Sequence, residues 1–289
     1  MEPPDHRLFR NERSGVVGGL QRVRQMTLND GHVFCAPEHV AGEIESILRM
    51  VGDAYRALSI PAPRLRLSRG GDGAKYVRDP AVWEPAERMI RAALDAIGAD
   101  YLQADGEAAF YGPKLDLQVT DPQGREETLS TFQVDFHLPT RFDLRFARGD
   151  VMERPVIVHR SIVSTMERMV AHLLEVHDGA LPVWLSPVQV TILPVGDAAA
   201  PHAQRVADAL SDAGLRAEID DRVQTLSARV RAAWRLRVPY VAVVGAREAA
   251  QDAVAVRLRG GAQLGQLDAG AFVSLVSDAV TRRLREPAR

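Results

Sequence analysis

A chain of 289 residues, 46% of them hydrophobic, carries enough apolar material for one large or two ordinary domains, which excludes a disordered protein. Its formal net charge of -2 gives no overall attraction to nucleic acid, although residues 188–289 hold 14 Arg against 11 acidic residues and are the more basic part. The single cysteine, Cys35, excludes an internal disulfide, and no run has the apolar length of a membrane span or signal core, so the chain reads as soluble and cytoplasmic with no membrane partner.

Residues 10–24, RNERSGVVGGLQRVR, set four arginines around glycines and one acid, a pattern that suits a solvated charge run or arginines aimed at an anion. Alternation in NDGHVFC then gives way to Ile44, Ile47, Leu48, Val51, Tyr55 and Leu58, the spacing of one apolar helix face, stopped by Pro61 and Pro63. A short strand, 64–68, precedes a glycine-rich turn, and Asp79-Pro80 opens a second helix that ends at Gly98. Leu115, Leu117 and Val119 alternate with Asp116 and Gln118, and Phe132, Val134, Phe136 and Leu138 with Gln133, Asp135 and His137. This predicts an antiparallel pair joined by DPQGREE, apolar on one face and open to solvent or a polar ligand on the other. A helix is expected from Ser161 to His177, and DGALPVWLSP reads as a connector. Beyond it come strand 188–195, helix 199–213, strand 216–220, helix 225–236, strands 240–245 and 253–260, and a final helix, an ordinary α/β domain. The expected boundary lies near Ser186, giving domains 1–186 and 187–289.

Walker, GxGxxG, GxSxG and HExxH signatures are absent, so the common phosphate and hydrolase motifs carry no chemistry here. Five ordered fragments stand out instead: FRNERSG, NDGHVFC, AFYGPKLDLQV, TFQVDFHLP and VHRSIVSTMERM, followed by SPVQVTILPV. Together they resemble threonyl-tRNA synthetase, a class II aminoacyl-tRNA ligase, over nearly the whole chain. The resemblance implies an α/β (α+β) fold: part of an antiparallel catalytic sheet with helices, then a mixed-sheet α/β anticodon-binding domain.

It also implies roles. Arg10 and Glu12 match motif 2, in which the arginine holds the ATP α-phosphate and the glutamate the adenine end; Arg22 matches a second nucleotide-binding arginine and Arg168 the motif 3 arginine on the γ-phosphate. Planar, charge-assisted Arg contacts suit a phosphorus centre that gathers negative charge. Lys114, one of two lysines among 36 basic residues, matches a catalytic position, and Asp30, Tyr111 and Gln133 match substrate-binding positions. His32 and His159 match two zinc ligands. The implied partners and cofactors are ATP with Mg2+, threonine, Zn2+ and tRNA-Thr, with Arg237, Glu248 and Arg257 at tRNA-contacting positions.

Departures from the family pattern are Met26 for an adenine-stacking aromatic, Leu28 for a glutamine, and Val223 for an asparagine that reads the anticodon. The matched segments start at motif 2, so the first zinc ligand, a cysteine, and the dimer-forming motif 1 are expected to be missing, which makes a homodimer doubtful and leaves the oligomeric state open. Cys35, three residues from His32 on an expected strand, should face the other way. The rival expectation is a noncatalytic truncated paralogue, or a gene fragment, that binds tRNA or ATP without aminoacylation.

Overall fold

The computed structural model describes residues 7–77 and 79–288. Two compact units are present, Met1–Val176 and His177–Arg289. The second starts ahead of the boundary expected at Ser186 because the connector belongs to its core. Val183 is fully buried, its N–H donates to the Leu284 carbonyl at 3.2 Å, and the Arg216 guanidinium holds the carbonyls of Trp184 and Ser186.

In the first unit the arginine- and glycine-rich opening is a hairpin: β1 (Arg7–Phe9) pairs antiparallel with β2 (Gln25–Thr27), and the Arg10 N–H donates to the Arg24 carbonyl at 2.8 Å. Then follow β3 (Gly31–Cys35), α1 (Val40–Leu58), β4 (Arg64–Arg69), α2 (Pro80–Ala96), β5 (Tyr101–Asp105), β6 (Lys114–Thr120) and β7 (Glu126–Asp135). The unit closes with α3 (His137–Arg141), β8 (Phe146–Arg148), β9 (Val151–Glu153), β10 (Val156–Ser161) and α4 (Met166–Val176). Six strands form one sheet in the order β3-β10-β7-β6-β4-β5, antiparallel except for the parallel pair β4 and β5. On one face α1 lays down Val40, Ile44, Ile47, Val51 and Tyr55, and with Ile90 and Leu94 of α2 it buries Leu67, Leu115, Leu117, Phe132 and Val158.

Two sequence expectations change here and a third is narrowed. The strand expected to run through Leu138 ends at Asp135, whose Oδ1 accepts the N–H groups of His137 and Leu138 at 2.8 and 2.9 Å and turns the chain into α3. The helix expected from Ser161 starts at Met166, because residues 156–161 pair in the sheet and Thr165 Oγ1 caps the helix by accepting the Arg168 N–H at 3.1 Å. Of the two alternatives for the polar side of β6 and β7, open solvent is excluded at Asp116 and Asp135, which are 1% and 0% exposed.

The second unit contains β11 (Val190–Pro194), α5 (Ala200–Asp212), β12 (Ala217–Ile219), α6 (Leu226–Arg235), β13 (Tyr240–Val244), α7 (Ala246–Ala250), β14 (Ala253–Leu258), β15 (Gln263–Asp268) and α8 (Ala269–Thr281). Its mixed sheet runs β12-β11-β13-β14-β15, with β12, β11 and β13 parallel and the rest antiparallel. Helices α5 and α8 cover Val190, Ile192, Tyr240 and Val254, while α6 covers Leu193, Val241 and Val243 on the other face. Among the described residues no helix is long and apolar enough to cross a membrane.

Just after β12, Asp220 accepts both Nε and Nη2 of Arg222 at 2.8 and 2.7 Å. That pair, with the Arg222 N–H and the nearby Arg229 charge, holds the Asp220 carboxyl below its ordinary value of 3.8. A carboxyl lowered in the folded state contributes stability above its unfolded pKa and loses it as pH falls through the folded one. The second unit should therefore weaken between about pH 5 and about pH 3, and Asp220→Asn should flatten that dependence. Hydrogen exchange of β11 and β12 amides at both pH values reads this; an unchanged pH dependence in the variant rejects it.

Candidate active site

The sheet face opposite α1 and α2 builds the site by cross-strand register. His32 of β3 pairs with His159 of β10, His159 with Gln133 of β7, Gln133 with Lys114 of β6, and Lys114 with Ser68 of β4. Side chains alternate along each strand, so this row of five stands on one face. Two residues along, Thr131, Asp116 and Arg66 form a second row on the same face. Gly112 makes the approach possible, since a Cβ there would sit 2.5 Å from the Val134 carbonyl oxygen.

The β1–β2 hairpin and the start of α4 stand against these rows. The Glu167 carboxylate accepts the Thr27 N–H at 3.0 and 3.1 Å, and Asn29 Oδ1 accepts the N–H groups of Ile162 and Val163, so hairpin and helix are tied together. A cavity of about 600 Å³ results. Its lining includes Arg10, Glu12, Arg22, Asp30, Tyr111 and Lys114. Gln133, His159 and Arg168 complete the predicted residues that line it, beside Met26 and Leu28. His32 stands next to it, its ring 4.7 Å from that of His159 in an edge-on contact.

Local contacts set each group. Arg22 donates from Nε and Nη2 to Glu12 Oε2 at 3.1 and 2.9 Å, across the hairpin loop, and Arg168 Nε donates to the Gln21 carbonyl at 3.1 Å. The Arg10 side chain is exposed. The Tyr111 hydroxyl donates to Gln133 Oε1. Burial, then the carboxylates of Asp135 and Asp30, push the Tyr111 phenol up to about 12, so it remains a donor at neutral pH. His159 Nε2 lies 2.9 Å from Asp135 Oδ2, which fixes the ring.

Sequence reasoning passed over two acids: Asp135, which orients His159, and Asp116, which is buried beneath Lys114. The signal was present, since each carboxylate lies two residues from a matched side chain on the same strand face.

Residues 6–177 match the family model for the class II tRNA synthetase core domain (G, H, P, S and T), more than half of the chain. The chain belongs to the class II tRNA synthetase family. Residues 189–279 match the anticodon binding domain model. A threonine--tRNA ligase of Streptococcus pyogenes is 44% identical over 286 residues, 98% of this chain and 44% of the relative. The chain thus spans less than half the length of the curated relatives it matches. The structure of the RNA binding domain of threonyl-tRNA synthetase from Cryptosporidium parvum superposes with a TM-score of 0.88 at 32% identity, covering 99% of this chain and 70% of that one.

In this synthetase chain the zinc implied by the resemblance lacks a ligand set. His32 and His159 meet, and Asp30 Oδ2 lies 3.9 Å from His32 Nε2, but no group of three ligand atoms assembles around them among the described residues. Cys35 stands three residues along β3 from His32 and so on its other face, and burial, with Glu43 and Glu38, pushes its thiol up to about 11. The three-acid group that does occur, Asp121, Glu127 and Glu175, does not line the cavity and is met by Arg125, 2.6 Å from Asp121. Two histidines give weak, poorly oriented zinc binding. Elemental analysis of the purified chain should therefore find well under one zinc per chain; a stoichiometric, dialysis-resistant zinc would overturn this.

The three predicted tRNA-contacting residues are not gathered in one cavity. Arg237 donates to Asp178 at 2.8 Å and lines a recess of about 770 Å³ with Arg222, Arg231 and Arg235. Arg257 is half-buried on β14 opposite Val241, at the Arg237 end of β13. Glu248 lies beyond the other end, where its Oε2 accepts the Gly245 N–H at 2.9 Å and caps α7.

Proposed function

We propose that the chain carries the adenylation site of a threonine--tRNA ligase: the threonine carboxylate attacks the α-phosphorus of MgATP, pyrophosphate leaves, and the threonyl group passes from the adenylate to the terminal ribose of tRNA. The observation that carries this reading is the convergence of arginines from separate segments, Arg10, Arg22 and Arg168, on one cavity with Lys114 and the Tyr111–Gln133 pair. Its volume of about 600 Å³ falls in the range of small-ligand sites.

Arg10 stabilises the charge that grows on the α-phosphoryl oxygens, and Lys114 assists from the cavity floor. Arg168, at the start of α4, faces the leaving pyrophosphate. Glu12 takes the adenine end, and its ion pair with Arg22 orients both groups across the loop. Met26, 5% exposed and lining the cavity, packs on the base in place of an aromatic ring. Asp30, Tyr111 and Gln133 bind the amino acid, with Tyr111 donating and Gln133 held by it. Positioning and fixed charge suffice, and no covalent enzyme intermediate is needed. The second unit takes the tRNA through Arg237 and Arg257.

Threonine-dependent ATP–pyrophosphate exchange by the whole chain tests the proposal. Exchange stimulated by threonine and by none of serine, valine or proline supports it. No exchange together with measurable tRNA binding would replace it with a noncatalytic, RNA-binding reading, and exchange with another amino acid would reassign the substrate.

A further inference from the structure

Asp116 is 1% exposed and lines the cavity floor, yet it is surrounded by donors. Ser68 Oγ donates to its Oδ2 at 2.8 Å, the Lys114 ammonium stands 3.0 Å and the Arg66 guanidinium 3.2 Å from the same oxygen, and Thr131 Oγ1 donates to Oδ1 at 3.3 Å. All four partners belong to the two cross-strand rows. A carboxylate this buried is tolerated because two cations and two hydroxyls replace its water. The balance is uneven: one negative charge faces two positive ones, so the cluster leaves a surplus positive charge at the cavity floor. Of its two cations, Lys114 lines the cavity and Arg66 does not.

We infer that Asp116 is a positioning residue that holds the Lys114 ammonium along the floor of the cavity, pointing the cluster's surplus positive charge at an anionic substrate group. Asp116 does not touch the substrate; it acts through Lys114. The alternation K-L-D places the two side chains on one face of β6 two residues apart, and β4 and β7 supply the groups that fix the carboxylate from either side. Without Asp116 the lysine, on its flexible four-carbon stem, loses its anchor.

The inference rests on placing Lys114 in the adenylation site, and its test has a readout that does not need activity. The chain has two lysines, so amine acylation followed by peptide mass spectrometry reports Lys114 against Lys75 as an internal reference. Asp116→Asn keeps the size and one acceptor oxygen, and should raise the labelling rate of Lys114 relative to Lys75 at least about twofold, because an amine released from its anchor on a flexible stem samples the cavity more freely. Arg66→Gln, which removes the other cation, should leave Lys114 labelling near that of the unaltered chain. In exchange assays Asp116→Asn should lower kcat on the order of a hundredfold with little change in KM for ATP. The same change in a Lys114→Ala background should cost little more, since the two residues act as a unit. Unchanged Lys114 labelling, equal increases in Asp116→Asn and Arg66→Gln, or fully additive kinetic losses would each overturn the inference. If the unaltered chain shows no exchange, the functional proposal falls while the labelling still decides the role of Asp116.

Discussion

Replacing Arg10 by alanine is expected to lower threonine-dependent ATP–pyrophosphate exchange on the order of 10²- to 10³-fold, the usual loss when one preorganised donor to a developing oxyanion is removed. The fold should hardly notice. The Arg10 side chain is exposed, and its backbone N–H, which the substitution keeps, makes the hairpin bond to Arg24. A surface change of this kind moves stability by about 0.5 kcal/mol or less, so the thermal midpoint should shift by no more than a few degrees. Arg10→Lys should recover part of the rate, because it restores charge without the planar fork that meets two phosphoryl oxygens. Arg24→Ala is the control: Arg24 is also an exposed arginine of the hairpin but does not line the cavity, and its loss should leave the rate unchanged. Equal exchange rates for Arg10→Ala and the unaltered chain would remove Arg10 from the chemistry.

The contrast between those two arginines shows what a linear pattern can and cannot carry. Both stand in a run of charge around glycines, and spacing alone does not separate them; the hairpin does, by turning Arg10 toward the cavity. Much of the fold was legible because local signals agree with tertiary packing. The helix expected at 199–213 is found at Ala200–Asp212, and the stripe Ile44, Ile47, Val51, Tyr55 is buried as its period requires. Elements that pack poorly left weak signals. β5 is an edge strand with Leu102 half-exposed, and β15 carries Gly265 at a positive φ opposite a bulge at Val256 and Arg257, so neither alternates cleanly. The site was legible as a set of residues through the family resemblance, but not as a surface. The row His32, His159, Gln133, Lys114 depends on the register of four strands drawn from distant parts of the chain. Hydrophobic alternation fixes which face a residue takes, whereas the pairing of strands fixes its neighbours. That is why Asp116, read as one of several polar residues on an open face, turns out to be buried under two cations.

The second large effect is expected in the second unit, where Arg229→Met should cost on the order of 3 kcal/mol. Arg229 is 6% exposed, on the face of α6 that packs on the sheet. Its Nη1 donates to the Asp220 carbonyl at 2.7 Å and its Nη2 to the Pro194 carbonyl at 2.9 Å. One guanidinium thus ties the end of β11 to the turn after β12, and the same turn carries the Asp220–Arg222 pair. Methionine fills most of the volume but donates nothing, so two buried carbonyls lose charged donors at about 1–3 kcal/mol each, less whatever relaxation recovers. The positive charge beside the Asp220 carboxyl disappears as well, which should narrow its acid-stable range. Lysine at this position keeps the charge but presents a single nitrogen that cannot span both carbonyls, so it should recover only part of the loss. For a unit of this size about 3 kcal/mol corresponds to a midpoint lower by roughly 10–20 °C. Hydrogen exchange locates the effect: β11, β12 and α6 amides should lose protection while β6 and β7 in the first unit keep theirs. Because the loosened turn also carries Asp220, the anchor of Arg222, the recess that Arg222 and Arg237 line should lose order as well, and the proposed tRNA contact there should weaken without altering ATP–pyrophosphate exchange. Unaltered protection in β11 and β12 would mean that water or backbone adjustment satisfies both carbonyls, and Arg229 would then be no keystone of this unit.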